Sequence, residues 1–488
     1  MVFSSEQFIF LFLPLFLAVY YLTPAKLKSW ALVLGSYSFY AWWRIDFLFL
    51  LIAVTLWTYW FGLRIQQRTV ESERQLYCTI GVIGCLSVLG VFKYFNFFLD
   101  SFAVAFGTTS DALGVHWQLI LPIGISFYVF QSISYLVDIK RKDAPATRSF
   151  VDFAAFIALF PQLIAGPILR FKDLADQITS REHSFEKFSK GMTLFTVGLA
   201  KKILLADAIA PIADSAFAAT DPSFAVAFLG MFAYTLQLYF DFSGYSDMAL
   251  GLGLMIGFQF IQNFDRPYIS RSITEFWRRW HISLSVWLRD YLYVPLGGNR
   301  VGPTRTYVNL CLVMLLGGLW HGSNWTFVLW GAWHGGWLAL ERATGWGAKA
   351  KDHWISLPFT FVLVMLGWVV FRAETVSSAF ESYAGLIGLN GFALPDDYLV
   401  GLPQDAFLFL MLSAAIVVLE GRIRSFYLAI TDSSDPVGQQ AGSPGGAIAA
   451  ASSLAMPLVS ATAVSALFFL AIAKLAEQSF SPFLYFQF

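Results

Sequence analysis

Long apolar runs recur along the whole chain, and shorter polar stretches separate them. Several runs fall short of the about 20 residues that a helix perpendicular to a bilayer needs, so we expect some segments to be tilted, interfacial or re-entrant. The pattern predicts an all-α polytopic membrane protein with about 10–12 spanning helices, in-plane pieces and a single membrane domain over residues 1–488. The runs are 7–23, 46–63, 76–95, 118–137, 150–166, 224–240, 306–320, 325–340, 357–371, 406–420 and 455–474.

The distribution of charge gives the chain an orientation. By the positive-inside rule, the loops rich in lysine and arginine are cytoplasmic, which places the N-terminus on the outer side of the membrane. Arg44, Lys93, Lys201 and Arg372 fit this alternation less well. The basic loops are 24–28, 64–74, 140–148, 170–190, 266–305 and 422–424, whereas 101–118, 207–223 and 375–405 contain no lysine or arginine.

Composition narrows the class of protein further. Hydrophobic residues make up 57% of the chain and aromatic residues 18%, as in proteins with many membrane-interface belts. Zero net charge argues against a nucleic acid partner. The first run lacks the basic stretch and cleavage site of a signal peptide, so we expect a retained anchor. Residues 431–446 have the composition of a flexible cytoplasmic loop between the last two helices.

Helix breakers and small residues interrupt several apolar runs. Proline and glycine at 121–127 and at 160–168 are compatible with simple kinks or with the lining of a cavity. The stretch "GLGLMIG" at 251–257 predicts a stripe for close helix packing, since it lacks the spacing of a phosphate loop. Cys78, Cys85 and Cys311 have no metal or redox spacing, and we predict no metal site.

Residues 265–305 are too polar to span a membrane and unusually aromatic. As one helix, 276–293 collects its aromatic residues, Trp280 among them, in one sector together with His281. Its other side carries Arg278, Arg279 and Arg289, as in a helix lying in the cytoplasmic interface. The arginines would contact lipid headgroups or an anionic donor. The ring of His281 would point into the protein, as a core histidine or a functional one.

Two carboxylates and two Trp-His-Gly triplets lie in apolar surroundings. Asp241 and Asp247 are functional hypotheses at membrane depth, although pairing with the arginines of 266–289 is the simpler interpretation. On an uninterrupted helix, His321 and His334 would stand about 20 Å apart and could not share a substrate. The residues "GSN" at 322–324 suggest a break between them.

A buried histidine suits one kind of chemistry in particular. No zinc ligand spacing and no GxSxG nucleophile elbow occurs in the chain, whereas imidazole can take a proton from a hydroxyl that attacks an acyl thioester. A second polar group could orient the carbonyl or stabilise the oxyanion. His281 and His321 could supply this pair from two neighbouring elements. His116, His183 and His353 lie in polar contexts typical of surface residues.

At this point the residues resemble the membrane-bound O-acyltransferase (MBOAT) family and, within it, the alginate O-acetylation type. The resemblance runs nearly end to end and is densest over 120–345. It rests on "FWRRWHISLSVWLRDYLYVPLGGNR", "GGLWHGSNWTFVLWGAWHG", "LPIGISFYVFQSISYLVDIKR", "FPQLIAGPILRF", "QLYFDFSGYSDMALGLGLM", the opening "MVFSSEQFIFLFLPLFLAVYYL" and the ending "SPFLYFQF".

The resemblance implies a multi-helix fold around a central tunnel that narrows at a catalytic histidine. That position corresponds to His321, and the family's second polar position corresponds to His281, with His334 a secondary candidate. The implied enzyme is an inner-membrane O-acetyltransferase that takes acetyl from a cytoplasmic donor, acetyl-CoA, without a permanently bound cofactor. Candidate substrate- or donor-binding residues are Arg278, Arg279, Arg289, Trp280, Asn324, Asp241 and Asp247.

Partners and alternatives follow from the same resemblance. The acetyl group would pass to a periplasmic SGNH-type acetyltransferase that modifies an exopolysaccharide, most simply alginate. Acetylation of cellulose or another glycan, and D-alanyl transfer to teichoic acid, are alternatives within the family. A transporter of a polar solute that uses its histidines as a proton relay is the alternative from a different class.

Overall fold

A computed structural model describes residues 1–432, 446–477 and 484; for 397, 424–432 and 446–460 it describes the backbone alone. These residues contain no β-strand. Their α-helices are α1 (Leu13–Leu22), α2 (Lys28–Ala41), α3 (Ile45–Gln67), α4 (Glu71–Leu89), α5 (Phe95–Ala105), α6 (Ile125–Arg141), α7 (Phe150–Ala158), α8 (Phe160–Leu163), α9 (Phe171–Thr179), α10 (Phe185–Ala200), α11 (Asp207–Ala218), α12 (Phe224–Met255), α13 (Ile273–Arg279), α14 (Ile282–Leu288), α15 (Pro303–His321), α16 (Trp325–Thr344), α17 (Trp346–Lys349), α18 (Ser356–Arg372), α19 (Val376–Leu386), α20 (Asp396–Val400), α21 (Ala406–Asp432) and α22 (Gly446–Glu477).

The helices confirm an all-α polytopic membrane protein. By length and composition, four described helices can cross a membrane: Ile45–Gln67, Glu71–Ala105, Phe224–Met255 and Ala406–Ile423. The shorter apolar helices Gln7–Leu22 and Ser356–Arg372 accompany them. The count of about 10–12 spanning helices stays a prediction. Of the predicted loop at 431–446, residues 433–445 lie outside the described residues.

Two apolar runs are not the single helices that hydropathy predicts. In the run 118–137, helix begins only at Ile125, because Gly124 adopts a left-handed conformation with φ +75°. The run 150–166 divides into α7 and α8, and the backbone from 164 to 170 is not helical. Hydropathy also misses α10 and α11, because Lys201, Lys202 and Asp207 interrupt the apolar stretch between them.

Helix α12 is the longest element whose side chains are described throughout, and most of its residues are buried. Its 32 residues span about 48 Å. It packs closely on α10, where a Cβ at Gly198 would meet the Gly244 carbonyl and a Cβ at Gly191 would meet the Gly251 carbonyl. The predicted small-residue stripe is therefore confirmed at Gly251, where two backbones approach as in other membrane helix pairs.

The four basic residues that disturb the charge alternation all have polar partners within the chain. Arg44 pairs with Asp46 at 2.5 Å, Lys201 with Asp247 at 2.7 Å and Arg372 with Asp214 at 2.8 Å. The amino group of Lys93 instead donates to backbone carbonyls. A basic residue paired in this way adds little net positive charge to its loop, so it carries little weight in the charge rule.

Candidate active site

His321 is the last residue of α15. The chain becomes extended at Gly322, and Asn324 caps the next helix, accepting a hydrogen bond from the Thr326 N–H at 3.1 Å. The predicted break at 322–324 is confirmed. Because the Asn324 amide also donates to the Glu374 carbonyl at 2.8 Å, its contacts hold the loop together. A substrate contact by Asn324 stays a prediction.

The ring of His321 is buried among aromatic side chains and borders a cavity. It is 4% exposed, and its centroid lies 5.1 Å from Trp320, 5.0 Å from Trp330 and 5.3 Å from Phe371. The cavity has a volume of about 440 Å³, and residues 121–127 form part of its wall. For 121–127, the structure therefore confirms the cavity-lining alternative over a simple kink.

The segment 276–293 is not one helix, contrary to the sequence prediction. Helix α13 ends at Arg279, and His281 takes a left-handed conformation with φ +42° before α14 begins. Asn263 and Asp265 run alongside and replace the missing helical bonds: the Ile282 N–H donates to the Asn263 carbonyl and the Asp265 N–H to the Arg279 carbonyl, both at 2.9 Å. This tertiary pairing favours the break over a continuous helix, and periodicity does not reveal it.

The break aims the ring of His281 inward, as predicted, and the residue is fully buried. The Asn263 side-chain oxygen must be an acceptor, since the N–H and the hydroxyl of Ser283 both donate to it, at 3.2 and 2.8 Å. His281 Nδ1, 3.1 Å from the same oxygen, is then the protonated nitrogen. Its Nε2 has no hydrogen-bond partner among the described residues, so a neutral ring turns a lone pair toward the interior.

His281 and His321 meet across two elements. Their ring centroids lie 6.3 Å apart with the planes at 61°, and Trp320 contacts both rings, at 5.9 Å from His281 and 5.1 Å from His321. The structure thus places the two rings next to each other. Both are buried, so their polar edges lie in a water-poor environment. Their chemical roles stay predictions.

His334 belongs to the aromatic packing behind this pair. Its buried ring accepts a hydrogen bond at Nδ1 from the Trp277 indole N–H at 3.3 Å and lies 4.9 Å from Trp330. The separation of about 20 Å that an uninterrupted helix would give the two triplet histidines does not apply here, because the predicted break folds α16 back along α15. Both His321 and His334 therefore contact Trp330.

The three arginines of the interfacial segment differ in their surroundings. Arg279 pairs with Glu275 at 2.9 Å, and Arg289 with Asp290 at 2.7 Å. Arg278 is exposed and makes no hydrogen bond or ion pair with the described residues. Of the three, it is the one open to an anionic ligand or a headgroup.

Two other residues of the segment, Asp290 and Trp280, hold it against the rest of the protein. Burial raises the pKa of the Asp290 carboxyl, but the hydrogen bond from Arg289 and the nearby charge of Arg170 outweigh burial, so the pKa is lowered overall. Trp280 is 2% exposed and packs against Trp368 at 5.0 Å. Trp280 therefore lies in the aromatic core, and a direct contact with a donor stays a prediction.

The two membrane-depth carboxylates do not pair with the arginines of 266–289, which corrects the simpler sequence interpretation. Asp241 pairs with Lys202 at 2.5 Å, and Asp247 pairs with Lys201 at 2.7 Å. Both lysines come from the π-helical segment Lys201–Ala206 between α10 and α11. Because the sequence places these lysines in no predicted helix, their packing against α12 was not foreseeable from spacing. A donor contact by either aspartate stays a prediction.

Sequence reasoning also missed three residues that support the histidine pair. Asn263 and Ser283 orient His281, and Lys93 contacts the end of the helix that carries His321. A signal existed for Lys93, since a lysine within an apolar run is costly unless it has a role. Nothing in the local pattern distinguishes Asn263 from an ordinary loop asparagine.

Comparisons with known proteins agree with this arrangement. The sequence profile described as MBOAT, membrane-bound O-acyltransferase family, matches residues 42–351. The chain is 53% identical to a protein of Azotobacter vinelandii named "Probable alginate O-acetylase AlgI", with all of both chains covered. It is 38% identical to the "Peptidoglycan O-acetyltransferase" of Helicobacter pylori over 81% of each chain.

A more distant similarity covers only part of the chain. The "Teichoic acid D-alanyltransferase" of Bacillus subtilis is 27% identical over 53% of this chain and 70% of its own. The profile covers more than half of this chain, and the Azotobacter relative shares half of its residues from end to end. The buried histidine pair thus lies in an O-acyltransferase, and the chain belongs to the membrane-bound O-acyltransferase family.

Proposed function

We propose that the protein is an inner-membrane O-acetyltransferase that carries acetyl groups from cytoplasmic acetyl-CoA toward an exopolysaccharide, alginate, outside the cell. The observation that carries the proposal is the buried pair of His321 and His281. His321 borders a cavity, and the chain aligns end to end with a relative named for alginate O-acetylation. Each part of the reaction can be assigned to groups of this chain.

His321 acts as general base in this proposal. An acceptor hydroxyl attacks the thioester carbonyl and gives its proton to the His321 imidazole. A C–O bond forms, the C–S bond breaks, and the proton passes from the imidazolium to the departing thiolate. His281 assists this base: because its Nδ1–H is held by Asn263, its Nε2 lone pair adds partial negative charge beside His321 and stabilises the imidazolium that forms there. The aromatic wall excludes water, which would otherwise hydrolyse the thioester.

The cavity is the proposed acceptor side. Its wall combines Met1, Trp43, residues 121–127 and the C-terminal end of α15. By the charge alternation, each of these lies at the outer end of its segment. An acceptor entering from the periplasm would therefore reach His321 without crossing the bilayer. The immediate acceptor is a hydroxyl of the periplasmic SGNH-type acetyltransferase that finally modifies the polymer.

The donor side lies opposite, at the interfacial segment. Arg278 is exposed on α13, in a loop region that the charge rule places in the cytoplasm. Its guanidinium suits the phosphates of a nucleotide-bearing thioester. Alginate is preferred over teichoic acid as the polymer because the D-alanyltransferase relative covers only about half of this chain.

Complementation tests the proposal. This chain is expressed in Azotobacter vinelandii that lacks its own "Probable alginate O-acetylase AlgI", and acetyl esters on secreted alginate are measured by proton NMR. We expect the wild-type chain to restore the esters and His321→Ala to restore none at equal membrane abundance. His353→Ala is the matched control, because His353 is exposed in a loop and should leave the ester content unchanged.

Two results would contradict the proposal. Membrane-inserted wild-type protein that restores no ester would refute alginate as the polymer, and esters on another secreted glycan would then identify the alternative. Full ester content with His321→Ala would refute the role of His321. Uptake of a polar solute by purified protein in vesicles, without release of CoA from acetyl-CoA, would favour the transporter alternative.

A further inference from the structure

The C-terminal end of α15 is held by side chains from another helix. The last four carbonyls of an α-helix have no partner within the helix and need donors from elsewhere. At α15, the Gly318 carbonyl accepts a hydrogen bond from the Gly322 N–H at 3.4 Å, and the Leu319 carbonyl accepts one from the Tyr94 hydroxyl at 2.8 Å. The remaining two carbonyls, of Trp320 and His321, both accept from Lys93 Nζ, the second at 3.3 Å. Every orphan carbonyl of the turn that carries His321 is thus satisfied.

A local irregularity brings Lys93 and Tyr94 to this helix end together. Consecutive residues of a regular α-helix point about 100° apart and would not normally reach the same target. Here the segment Gly90–Tyr94 is a π-helical turn between α4 and α5. Such turns are rare, cost stability and occur often at functional sites. In this turn, the side chains of Lys93 and Tyr94 both donate to successive carbonyls at the C-terminal end of α15.

The surroundings of Lys93 favour this contact over an ordinary ion pair. Lys93 is 7% exposed, and its third contact is the Ser126 hydroxyl at 3.3 Å. Among the described residues, no carboxylate forms an ion pair with it. A helix C-terminus carries partial negative charge that favours a cation, so the end of α15 takes the place of a carboxylate. A buried lysine kept without an acidic partner indicates a role beyond packing.

From these contacts we infer that Lys93, assisted by Tyr94, is a positioning residue that fixes the last turn of α15 and thereby the direction of the His321 imidazole. The inference rests on the proposed function of His321 as the base. Lys93 donates to the backbone carbonyls that end α15, so it acts through the orientation of His321, although its side chain also borders the cavity. A fixed imidazole matters because a displacement of about 1 Å at a reacting group can lower a rate by about 100-fold.

Two variants of the purified protein in lipid nanodiscs test the inference. Lys93→Met keeps the length of the side chain and removes its donors, and Tyr94→Phe removes one hydroxyl. Hydrogen–deuterium exchange should rise about 5- to 10-fold in peptides covering 317–323 with Lys93→Met, as for the loss of a buried hydrogen bond. With the periplasmic SGNH-type acetyltransferase added as acceptor, the kcat for CoA release from acetyl-CoA should fall about 10- to 100-fold with KM unchanged. Tyr94→Phe should show smaller changes of both.

Control variants separate this role from a general loss of stability. Lys26→Met removes an exposed lysine. Arg74→Met removes a buried cation that donates to the carbonyls of Ile139 and Lys140 at the C-terminal end of α6, away from the site. Both should leave exchange at 317–323 and kcat per folded molecule as in the wild type. Wild-type exchange at 317–323 in Lys93→Met, an unchanged kcat, or an equal loss in Arg74→Met would each overturn the inference. If the wild type releases no CoA with the acceptor present, the proposed function is wrong, and exchange still decides whether Lys93 fixes the helix end.

Discussion

Asn263 offers the sharpest test of how the site is organised. Its side-chain oxygen accepts from the Ser283 hydroxyl at 2.8 Å, from His281 Nδ1 at 3.1 Å and from the Ser283 N–H at 3.2 Å. Asn263→Leu has a similar volume and removes this acceptor. The Ser283 hydroxyl can rotate toward other acceptors, but the backbone N–H of Ser283 is left buried without a partner. The ring N–H keeps only the Ser283 hydroxyl oxygen at 3.4 Å, which is too long to replace the lost bond in full.

The lost hydrogen bonds set the expected loss of stability in Asn263→Leu. Each buried donor left without an acceptor costs about 1–3 kcal/mol, so Asn263→Leu should lower the free energy of unfolding by about 2–6 kcal/mol. The upper part of this range approaches the total stability of many proteins. Activity must therefore be expressed per folded molecule, after selecting the monodisperse fraction by size-exclusion chromatography. On that basis kcat should fall about 10- to 100-fold, because His281 loses both its fixed tautomer and its orientation.

Asn309 provides a matched control. It is also fully buried, and its amide donates to the carbonyls of Leu296 at 3.2 Å and Gly298 at 3.0 Å. It lies twelve positions before His321 on α15, about 18 Å along the helix. Asn309→Leu should therefore destabilise the protein to a similar degree, and its kcat per folded molecule should stay at the wild-type value.

A double-mutant cycle decides whether Asn263 acts through His281. If it does, Asn263→Leu combined with His281→Ala should have the kcat of His281→Ala alone, within about twofold. The measurement is CoA release from acetyl-CoA by the four proteins in nanodiscs. Additive losses of kcat in the double variant, or a wild-type kcat in Asn263→Leu, would refute the reasoning.

Two further predictions concern the scaffold around α12, and thermal unfolding in detergent measures both. Lys202→Met leaves Asp241 buried without its cation and should lower the free energy of unfolding by about 3–5 kcal/mol. Adding Asp241→Asn to this variant should recover part of the loss, and no recovery would argue against the ion pair. Gly198→Ala introduces a Cβ against the Gly244 carbonyl and should cost about 1–3 kcal/mol. Gly336→Ala, where a Cβ meets open space, should be neutral or slightly stabilising, and equal effects of the two alanines would contradict close packing of α10 on α12.

The sequence predicts the class of fold and the two central histidines, for identifiable physical reasons. Apolar runs report burial in a bilayer, so they reveal an all-α membrane protein directly. A histidine at membrane depth is costly and therefore conspicuous, which draws attention to His321 and His334 alike. The resemblance to the family then selects His321. The polar "GSN" at 322–324 correctly marks the end of a helix, because Asn324 is a favourable cap.

What the sequence does not predict depends on contacts between distant segments. The helical interpretation of 276–293 assumes that the backbone bonds are local, whereas Asn263 and Asp265 supply them at the break. The partners of Asp241 and Asp247 are lysines some forty residues upstream, in a segment outside the predicted apolar runs. Periodicity carries no information on either pairing, since both depend on which elements become neighbours.

The two histidines share a structural principle that follows from these exceptions. A side chain in the middle of a helix is aimed by the helix axis, and two such side chains on neighbouring helices meet at an angle set by packing. His321 ends α15 and His281 precedes α14, so local contacts orient each of them instead. The contacts of Lys93 and Tyr94 fix the helix end that carries His321. The left-handed turn held by Asn263 orients His281. The two rings can then lie 6.3 Å apart without a special helix crossing. Such devices cost free energy in strain and buried polar groups, which a protein retains where orientation matters more than stability.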